Sequence, residues 1–399
     1  MLRIRKSKKN INIFFLFCAI IRFVKGKNMK TITKDVFIAL FSVIVALVSV
    51  FGAVYSHYLI NRWGKYDEGK VFSIQIEEGE EDFRILQLTD THISDVSQLD
   101  YMKRSIQELV DRTNPNLIVV TGDGIWKKNT GDVLPEYAEV LDSFGINWAY
   151  IFGNHDFEGS ATIEDYQRVF SQSQYGLFDV GPDNIKGNCN YAINIKDGKD
   201  VVYSLIMLDS HGGGKKPREK RWYEHIRDEQ VDWYEWNIRG VSEYQYGKNA
   251  VARGKTVPSL LFYHIPQLEF MEERLETLKK YGINTSAPDG SIATETDDDV
   301  ATDIRLYPAI RSKLVERAAK LGSTKAMFVG HLHRDRSHYN HKGIELVQGT
   351  KTLTTYSYYG YLEGEAETKI GGNIITVSKN GDYNWERVFS TIIEPEYRT

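Results

Sequence analysis

Five short segments of the chain carry aspartate, asparagine or histidine directly after a run of β-forming apolar residues. They are Asp90-Thr91-His92, Gly122-Asp123, Gly153-Asn154-His155-Asp156, His264 and Gly330-His331-Leu332-His333. Oxygen and nitrogen ligands delivered from the ends of adjacent strands can build a two-metal hydrolytic site. A single His-x-His pair would be weak evidence for such a site, whereas five segments at the same place relative to their strands are strong evidence.

Each residue type suits a different part of this site. Two cations about 3.5–4 Å apart need a bridging oxygen ligand, and the two carboxylate oxygens of Asp123 make it the natural bridge. Asp90 and His92 are two residues apart in an extended segment, so their side chains start on the same face and can converge on one cation. Asn154 offers a neutral oxygen, which limits negative charge where an anionic substrate would bind. Three imidazoles complete the set and suit Mn, Fe or Zn: His264, His331 and His333.

The elements that must position these residues alternate along the first half of the chain's body. Apolar runs predict strands over 83–90, 116–123 and 148–154, and helical spacing of apolar residues predicts helices over 99–112 and 135–144. This alternation predicts a βαβαβ unit with a mostly parallel sheet. In such sheets ligands bind beyond the carboxyl ends of the strands, which is where the polar segments fall.

The second half repeats this pattern less regularly. Further apolar runs predict four more strands, over 201–209, 258–264, 326–331 and 343–348. The longer connections between them are neither repeated nor of low complexity, and we expect no separate domain boundary between residues 70 and 399.

Composition excludes several other classes of protein. The chain has 399 residues, enough for a sizeable core, and its 24 tyrosines and 7 tryptophans fit a folded layered protein. A net charge of −4 is too small to indicate nucleic-acid binding through bulk electrostatics. The two cysteines, Cys18 and Cys189, can build neither a disulfide framework nor a thiolate metal site. Any metal site must therefore use His, Asp and Asn.

The N-terminal region contains an apolar run without Asp, Glu, Lys or Arg over 36–61, preceded by several lysines and arginines. As a helix it is long enough to cross a bilayer core of about 30 Å. We therefore expect an uncleaved signal-anchor helix over 36–60 that crosses the cell membrane once. By the positive-inside rule the basic residues 1–35 lie in the cytoplasm and the chain after residue 62 lies outside. Secretion after signal cleavage is the alternative.

Met29 would itself begin an ordinary signal anchor, so residues 1–28 are open to interpretation as a gene-model extension. Whether residues 1–28 belong to the protein changes only where the basic segment starts.

The order of the five polar segments, D-x-H, G-D, G-N-H-[DE], H and G-H-x-H, resembles that of the calcineurin-like metallophosphoesterase superfamily. The resemblance covers residues 80–350. Finer features resemble the purple-acid-phosphatase-like branch, at 87–92, 121–124, 208–210, 262–266 and 329–333. The resemblance implies a four-layer α/β/β/α sandwich and two divalent or trivalent metal ions (Mn, Fe or Zn). It also implies hydrolysis of phosphate esters by a hydroxide that the two metals activate.

Carried across position by position, the resemblance implies two ligand sets that share one carboxylate. The first metal would be bound by Asp90, His92, Asp123 and His333. The second metal would be bound by Asp123, Asn154, His264 and His331. His155 matches the position that contacts the phosphoryl oxygens and helps the leaving group to depart.

One departure from the family pattern disfavours two of the family's subgroups. The third residue after the bridging aspartate is Trp126. In purple acid phosphatases proper this position is a tyrosine that ligates ferric iron, and in the phosphoprotein-phosphatase branch it is an aspartate paired with the catalytic histidine. Tryptophan can do neither, so an iron–tyrosinate site and the Ser/Thr protein phosphatase subgroup are both disfavoured. The pattern leaves open which carboxylate orients His155.

The resulting expectation is a membrane-anchored, extracytoplasmic metallophosphoesterase. A linker with a first edge strand spans 61–79, and the catalytic domain spans 80–399. The expected partner is a small phosphorylated substrate, with phosphomonoesters favoured and cyclic nucleotides or glycerophosphodiesters as the alternative. The alternative of another class is a non-catalytic, membrane-anchored binding protein that retains the fold. Such a protein would have lost ligand residues, and in this chain each of the implied ligands is present.

Overall fold

The computed structural model divides the chain into two units, Met1–Arg62 and Trp63–Thr399. The described residues are 62–126, 130–212, 223–280, 306–333, 335–354 and 369–393, together with scattered positions between 41 and 59. Those scattered positions are helical. No helix in this described part of the chain is long and apolar enough to cross a membrane. Most of the anchor expected over 36–60 lies outside the described residues.

The second unit combines strands and helices in alternation. Its described strands are β1 (Phe72–Gln75), β2 (Asp82–Leu88), β3 (Leu117–Thr121), β4 (Asn147–Ile151), β5 (Tyr191–Asp197), β6 (Asp200–Met207), β7 (Ser259–Phe262), β8 (Thr324–Val329), β9 (His338–His341), β10 (Ile344–Gln348), β11 (Gly371–Ser378) and β12 (Tyr383–Phe389). Its described α-helices are α1 (Leu99–Thr113), α2 (Thr130–Asp142), α3 (Ile163–Gln172), α4 (Asp228–Tyr246), α5 (Leu268–Lys280) and α6 (Leu314–Leu321).

The strands form two mixed sheets. The five-stranded sheet has the order β12-β11-β2-β3-β4, in which β2, β3 and β4 are parallel and β11 is antiparallel to both of its neighbours. The seven-stranded sheet has the order β1-β5-β6-β7-β8-β10-β9, with β6, β7, β8 and β10 parallel. The βαβαβ unit predicted from the apolar runs is therefore confirmed, and it supplies the parallel half of the first sheet.

Helix α1 illustrates why the apolar spacing gives this unit. Met102, Ile106 and Leu109 recur at helical spacing and are fully buried. The helix ends at Asn114, which adopts a left-handed conformation and donates its backbone N–H to Val110. The chain can then turn back into β3. Helix α2 begins earlier than the predicted residue 135, at Thr130.

The two sheets pack face to face, and alternate residues of β7 and β8 enter different cores. Phe262 of β7 and Phe328 of β8 belong to a core shared with the five-stranded sheet, and their rings stack 5.5 Å apart. Their strand neighbours Leu261 and Met327 point the other way and pack with α4, α5 and α6. Helices α1 and α2 contact the five-stranded sheet. The layers are therefore helices, sheet, sheet and helices, in agreement with the α/β fold predicted from the sequence.

Candidate metal centre

Polar residues at the carboxyl ends of five strands meet in one place. Asp90 and His92 follow β2, Asp123 follows β3, Asn154 and His155 follow β4, His264 follows β7, and His331 and His333 follow β8. Backbone hydrogen bonds tie these loops together: the N–H of Asp90 donates to Gly122, that of His92 to Asp123, and that of Gly330 to His264. The site is therefore built between the two sheets, from loops that brace one another.

The loop backbone is strained where it carries the candidate ligands. Four non-glycine residues of the site have positive φ, at 54° for Asp90, 47° for His92, 51° for Asp123 and 75° for His331. Non-glycine residues seldom adopt this region, and each such residue costs about 1 kcal/mol or more. Strain of this kind persists where the surrounding structure enforces it, and here it occurs at residues whose side chains converge.

The first convergent group contains Asp90, His92, Asp123 and His333, each with one donor atom within 4.8 Å of the others. Oδ1 of Asp90 lies 3.3 Å from Nε2 of His333, and Oδ2 of Asp123 lies 3.5 Å from Nε2 of His92. These separations match those between neighbouring ligands of one cation, about 3.0–3.5 Å for bonds near 2.1 Å. The group has the donors that the family resemblance assigns to the first metal.

The second group contains Asp123, His264 and His331, whose donor atoms meet the same criterion. Nε2 of His264 lies 3.1 Å from Oδ2 of Asp123, and the imidazole rings of His264 and His331 are 5.2 Å apart. Asn154 directly precedes His155, whose backbone N–H donates to Asp123, and Oδ1 of Asn154 is buried with no hydrogen-bond partner within the described residues. The structure therefore brings together three of the donors assigned to the second metal and leaves the oxygen of the fourth available.

The carboxylates each use one oxygen to hold the loops and aim the other into the site. Oδ2 of Asp90 accepts from the Thr89 hydroxyl at 2.7 Å and from the backbone N–H of His331 at 3.0 Å. Oδ1 of Asp123 accepts from the backbone N–H of His155 at 2.8 Å. Their other oxygens, together with Nε2 of His331, are buried without a hydrogen-bond partner in the part of the chain described. Such atoms are costly unless a cation or proton satisfies them.

The geometry of His264 indicates what kind of ion satisfies these buried oxygen and nitrogen atoms. Its Nδ1 lies 2.8 Å from the carbonyl oxygen of Thr121, so this nitrogen carries the proton and donates it. In the neutral ring Nε2 then presents a lone pair to the carboxylate oxygen of Asp123, 3.1 Å away. Two acceptors this close repel each other unless a cation lies between them. The donor set of oxygens and imidazole nitrogens therefore fits a transition metal or zinc ion.

The pKa shifts agree with this arrangement. Burial lowers the pKa of His331 to about 3 and that of His92 to about 4, so both imidazoles are neutral near pH 7 and can bind a cation. For the two aspartates, burial raises the pKa, but the neighbouring histidines outweigh it and hold both carboxyls well below their usual range. Burial also acts to lower the pKa of His264, and the charges of Asp123 and Asp90 instead raise it to about 9. In the absence of a metal, a proton on His264 takes the place of the cation.

His155 lies beside the two groups and is held by a carboxylate that the sequence did not identify. Its Nδ1 is 2.7 Å from Oε2 of Glu158, and its Nε2 is 4.0 Å from Oδ2 of Asp123. The indole N–H of Trp126 donates to the same oxygen of Glu158 at 3.2 Å. The only sequence signal for this contact is the three-residue spacing between His155 and Glu158.

Asp156 is a second support that sequence reasoning missed. Its fully buried carboxylate accepts from the backbone N–H groups of residues 123, 124, 125 and 153, and from the Tyr150 hydroxyl at 2.6 Å. Burial and the charge of Asp123 raise the pKa of Asp156 to about 7, although these five donors favour the ionised form. The carboxylate clamps the loops after β3 and β4 to each other.

Lys351 supports the site through the backbone of Asp90. Its buried ammonium donates to the carbonyl oxygen of Asp90 at 2.8 Å. This bond reinforces the backbone of Asp90, one of the residues with positive φ. Lysine at this position gives no signal in the sequence, because it acts on a carbonyl group 261 residues away in the chain.

The fold and the two donor groups are those of a protein built to hold metal ions between two sheets. Residues 83–284 match the family model described as calcineurin-like phosphoesterase. The chain belongs to the calcineurin-like phosphoesterase family, as its motif order predicts. The histidines after β8 lie beyond the matched residues, and the structure nonetheless brings them to the same centre.

Similar proteins include members of the purple acid phosphatase group. "Probable inactive purple acid phosphatase 28" of Arabidopsis thaliana is 25% identical over 287 residues, which are 63% of this chain and 65% of that protein. "Phosphatase DCR2" of Saccharomyces cerevisiae is 29% identical over 226 residues, 50% of this chain and 37% of that protein. The chain thus spans less than two thirds of the length of these relatives. The resemblance to the purple-acid-phosphatase-like branch is confirmed.

Among solved structures, a dimetal phosphatase from Danio rerio matches 77% of this chain and 99% of its own, with 11% sequence identity and a TM-score of 0.45.

Proposed function

We propose that the protein hydrolyses phosphate esters at a centre that holds two metal ions, with phosphomonoesters as the favoured substrates. The observation that carries this proposal is the position of one atom, Oδ2 of Asp123. It lies 3.5 Å from Nε2 of His92 in the first group and 3.1 Å from Nε2 of His264 in the second. A single carboxylate oxygen shared between two donor groups is the arrangement that a bridging ligand requires.

The residues of the site would have distinct roles in binding the two cations and in donating to the ester. Two bound cations would supply the positive charge that activates water and neutralises the phosphoryl oxygens. Asp90, His92 and His333 would hold one cation, and Asn154, His264 and His331 the other, with Asp123 common to both. His155 directs Nε2 toward the same centre, where it can donate a proton or hydrogen bond to the ester. Asp156 holds the loops after β3 and β4, which carry Asp123 and Asn154, to each other.

Preference for a phosphomonoester rests on the likeness to the purple-acid-phosphatase-like branch. The competing function is a phosphodiesterase that acts on cyclic nucleotides or glycerophosphodiesters. Turnover of p-nitrophenyl phosphate and bis(p-nitrophenyl) phosphate by the purified, metal-loaded protein separates the two functions. We expect faster hydrolysis of the monoester, and faster hydrolysis of the diester would reverse the assignment.

A non-catalytic binding protein is the alternative of another class, and the word "inactive" in the name of the Arabidopsis relative gives it weight. Against it stands the complete donor set, with buried oxygens and nitrogens directed at one another. Metal analysis of the purified protein, combined with assays of Asp123→Ala, tests the choice. Catalysis requires two metals per chain and loss of hydrolysis in the variant. An exposed aspartate changed in the same way, Asp183→Ala, is the matched control.

We also propose that the segment over 36–60 anchors the protein in the cell membrane, with the phosphoesterase domain outside the cytoplasm. Support comes from the uncharged apolar run, the lysines and arginines before it, and the aromatic residues Tyr55, Tyr58 and Trp63 at its far end. Protease treatment of intact cells tests this topology. Digestion of the domain is the expected result, and full protection of the domain would contradict it.

A further inference from the structure

The imidazole of His155 is held by one nitrogen while the other faces the metal centre. Nδ1 lies 2.7 Å from Oε2 of Glu158, and Nε2 lies 4.0 Å from Oδ2 of Asp123, the oxygen shared by the two donor groups. A carboxylate on Nδ1 fixes the tautomer and the rotation of the ring. Nε2 is then the nitrogen that meets a substrate.

Glu158 receives hydrogen bonds from two different loops. His155 lies on its own loop after β4, and Trp126 lies on the loop after β3 and donates its indole N–H at 3.2 Å. The backbone N–H of Trp126 donates in turn to the carbonyl oxygen of Ile93, at 2.9 Å, on the loop after β2. The indole and imidazole rings are 6.0 Å apart and nearly perpendicular. A chain of contacts therefore connects three of the ligand-bearing loops through Glu158.

The exposure of these groups explains why two donors are needed. The side chain of Glu158 is 48% exposed, whereas that of His155 is 17% exposed. A half-exposed carboxylate paired only with histidine would exchange that bond for water and sample other rotamers. The indole N–H restrains the carboxylate from a second direction. Trp126 cannot accept a hydrogen bond from Nδ1 of His155, but its indole N–H can hold Glu158, which does.

We propose that Glu158 is the positioning residue for His155 in phosphoester hydrolysis, and that Trp126 positions Glu158. This inference rests on the proposed function, because it assigns a role within the same site. Glu158 keeps the Nδ1 proton of the imidazole in place, so that the protonated ring presents its Nε2 proton to the leaving oxygen. The oxygen of the activated water forms a new P–O bond, the P–O bond to the leaving oxygen breaks, and the Nε2 proton transfers to that leaving oxygen; the neutral imidazole remains hydrogen-bonded to Glu158.

The leaving group of the substrate provides the test. Nitrophenolate departs without a proton, whereas an alkoxide such as that of glycerol phosphate needs one. In the purified full-length protein, Glu158→Gln should lower kcat for glycerol phosphate by about 10–100-fold and change that for p-nitrophenyl phosphate much less. Trp126→Phe keeps an aromatic ring but removes the N–H, and it should show the same pattern with a smaller loss. Glu164→Gln, an exposed glutamate on α3, should behave as wild type.

Two further results decide against the inference. If Glu158→Gln lowered kcat equally for glycerol phosphate and p-nitrophenyl phosphate and also reduced the metal content, Glu158 would have only a structural role. Unchanged kcat for glycerol phosphate in both variants would remove the positioning role while leaving the proposed function intact.

A binding measurement covers the case in which the wild-type protein hydrolyses neither ester, so that the proposed function itself fails. Calorimetry with inorganic phosphate on the metal-loaded protein then reports whether His155 is oriented toward the centre. We expect Glu158→Gln to weaken phosphate binding at least about fivefold, the loss of about one hydrogen bond. Equal affinity in the two proteins would overturn the inference.

Discussion

Oδ2 of Asp123 lies 3.1 Å from Nε2 of His264, and neither atom has a hydrogen-bond partner within the described residues. Because Nδ1 of His264 faces the carbonyl oxygen of Thr121, the neutral ring points the lone pair of Nε2 at the carboxylate. This neutral pair is unfavourable, and either a proton on Nε2 or a bound cation makes it favourable. A bound cation would therefore stabilise the folded state as well as take part in the proposed chemistry.

The first prediction is that divalent metal stabilises the protein. A cation that binds only the folded state at 100 times its Kd adds about 2.7 kcal/mol to the free energy of unfolding. We expect Zn²⁺ or Mn²⁺ to raise Tm, a chelator to reverse the rise, and His264→Ala to reduce it. His338→Ala, at an exposed histidine in β9, should respond to metal as wild type does. A Tm that does not change with metal would contradict the prediction.

The second prediction concerns the pH dependence of metal affinity. Asp123 and Asp90 outweigh the effect of burial and raise the pKa of His264 to about 9, so the metal-free imidazole is protonated at pH 7. A raised folded-state pKa contributes stability below the unfolded value of about 6.5, and this contribution is lost as pH rises through 9. A cation must displace the proton, so metal affinity should increase by up to about tenfold per unit between pH 6.5 and 9. Titrations across this range measure it, and a flat profile would show that His264 binds no metal.

The polar ends of the strands could be predicted from the sequence because each follows an apolar run that must be buried. Asp90, Asp123 and His264 all lie two residues past the end of a strand, where ligands bind in parallel βαβ sheets. The motif order then added the division into two ligand sets. Local patterns of this kind need no knowledge of how distant segments pair.

The supports of the site could not be predicted, because they depend on contacts between distant loops. Glu158 meets an indole 32 residues earlier, and Lys351 reaches a carbonyl group 261 residues away. The position of β11 in the five-stranded sheet could not be predicted for the same reason. Strand β11 completes the sheet beside β2, where Asn373 donates to Gln87 across 286 residues. Nothing in the period of a short apolar run identifies its partner strand.

The third prediction tests the clamp formed by Asp156. Asp156→Asn keeps the shape of the side chain but places an NH₂ group against backbone N–H donors. The variant should lose about 2–4 kcal/mol of unfolding free energy, because several charge-assisted hydrogen bonds to a buried carboxylate are lost. Denaturant unfolding measures this loss, with Asp183→Asn as the exposed control. An unaltered midpoint for Asp156→Asn would mean that the loops after β3 and β4 do not depend on this carboxylate.

The last prediction concerns Gly122, which precedes the shared aspartate. Its φ is +89°, and a Cβ at this position would lie 2.6 Å from Nδ1 of His264 and 2.7 Å from the backbone nitrogen of Gly153. Gly122→Ala must therefore displace the imidazole or the loop after β4, in addition to the strain of alanine at positive φ. We expect a loss of about 2–4 kcal/mol in unfolding free energy and at least one metal fewer per chain.

Gly145→Ala is the matched control, since its φ is +67° and the nearest atom to its new Cβ would be 4.0 Å away. Gly145→Ala should lower the free energy of unfolding only by the strain of alanine at positive φ, about 1 kcal/mol, and should keep its bound metals. If Gly122→Ala instead matched Gly145→Ala in both stability and metal content, close packing beneath Asp123 would not be what fixes His264 at the centre.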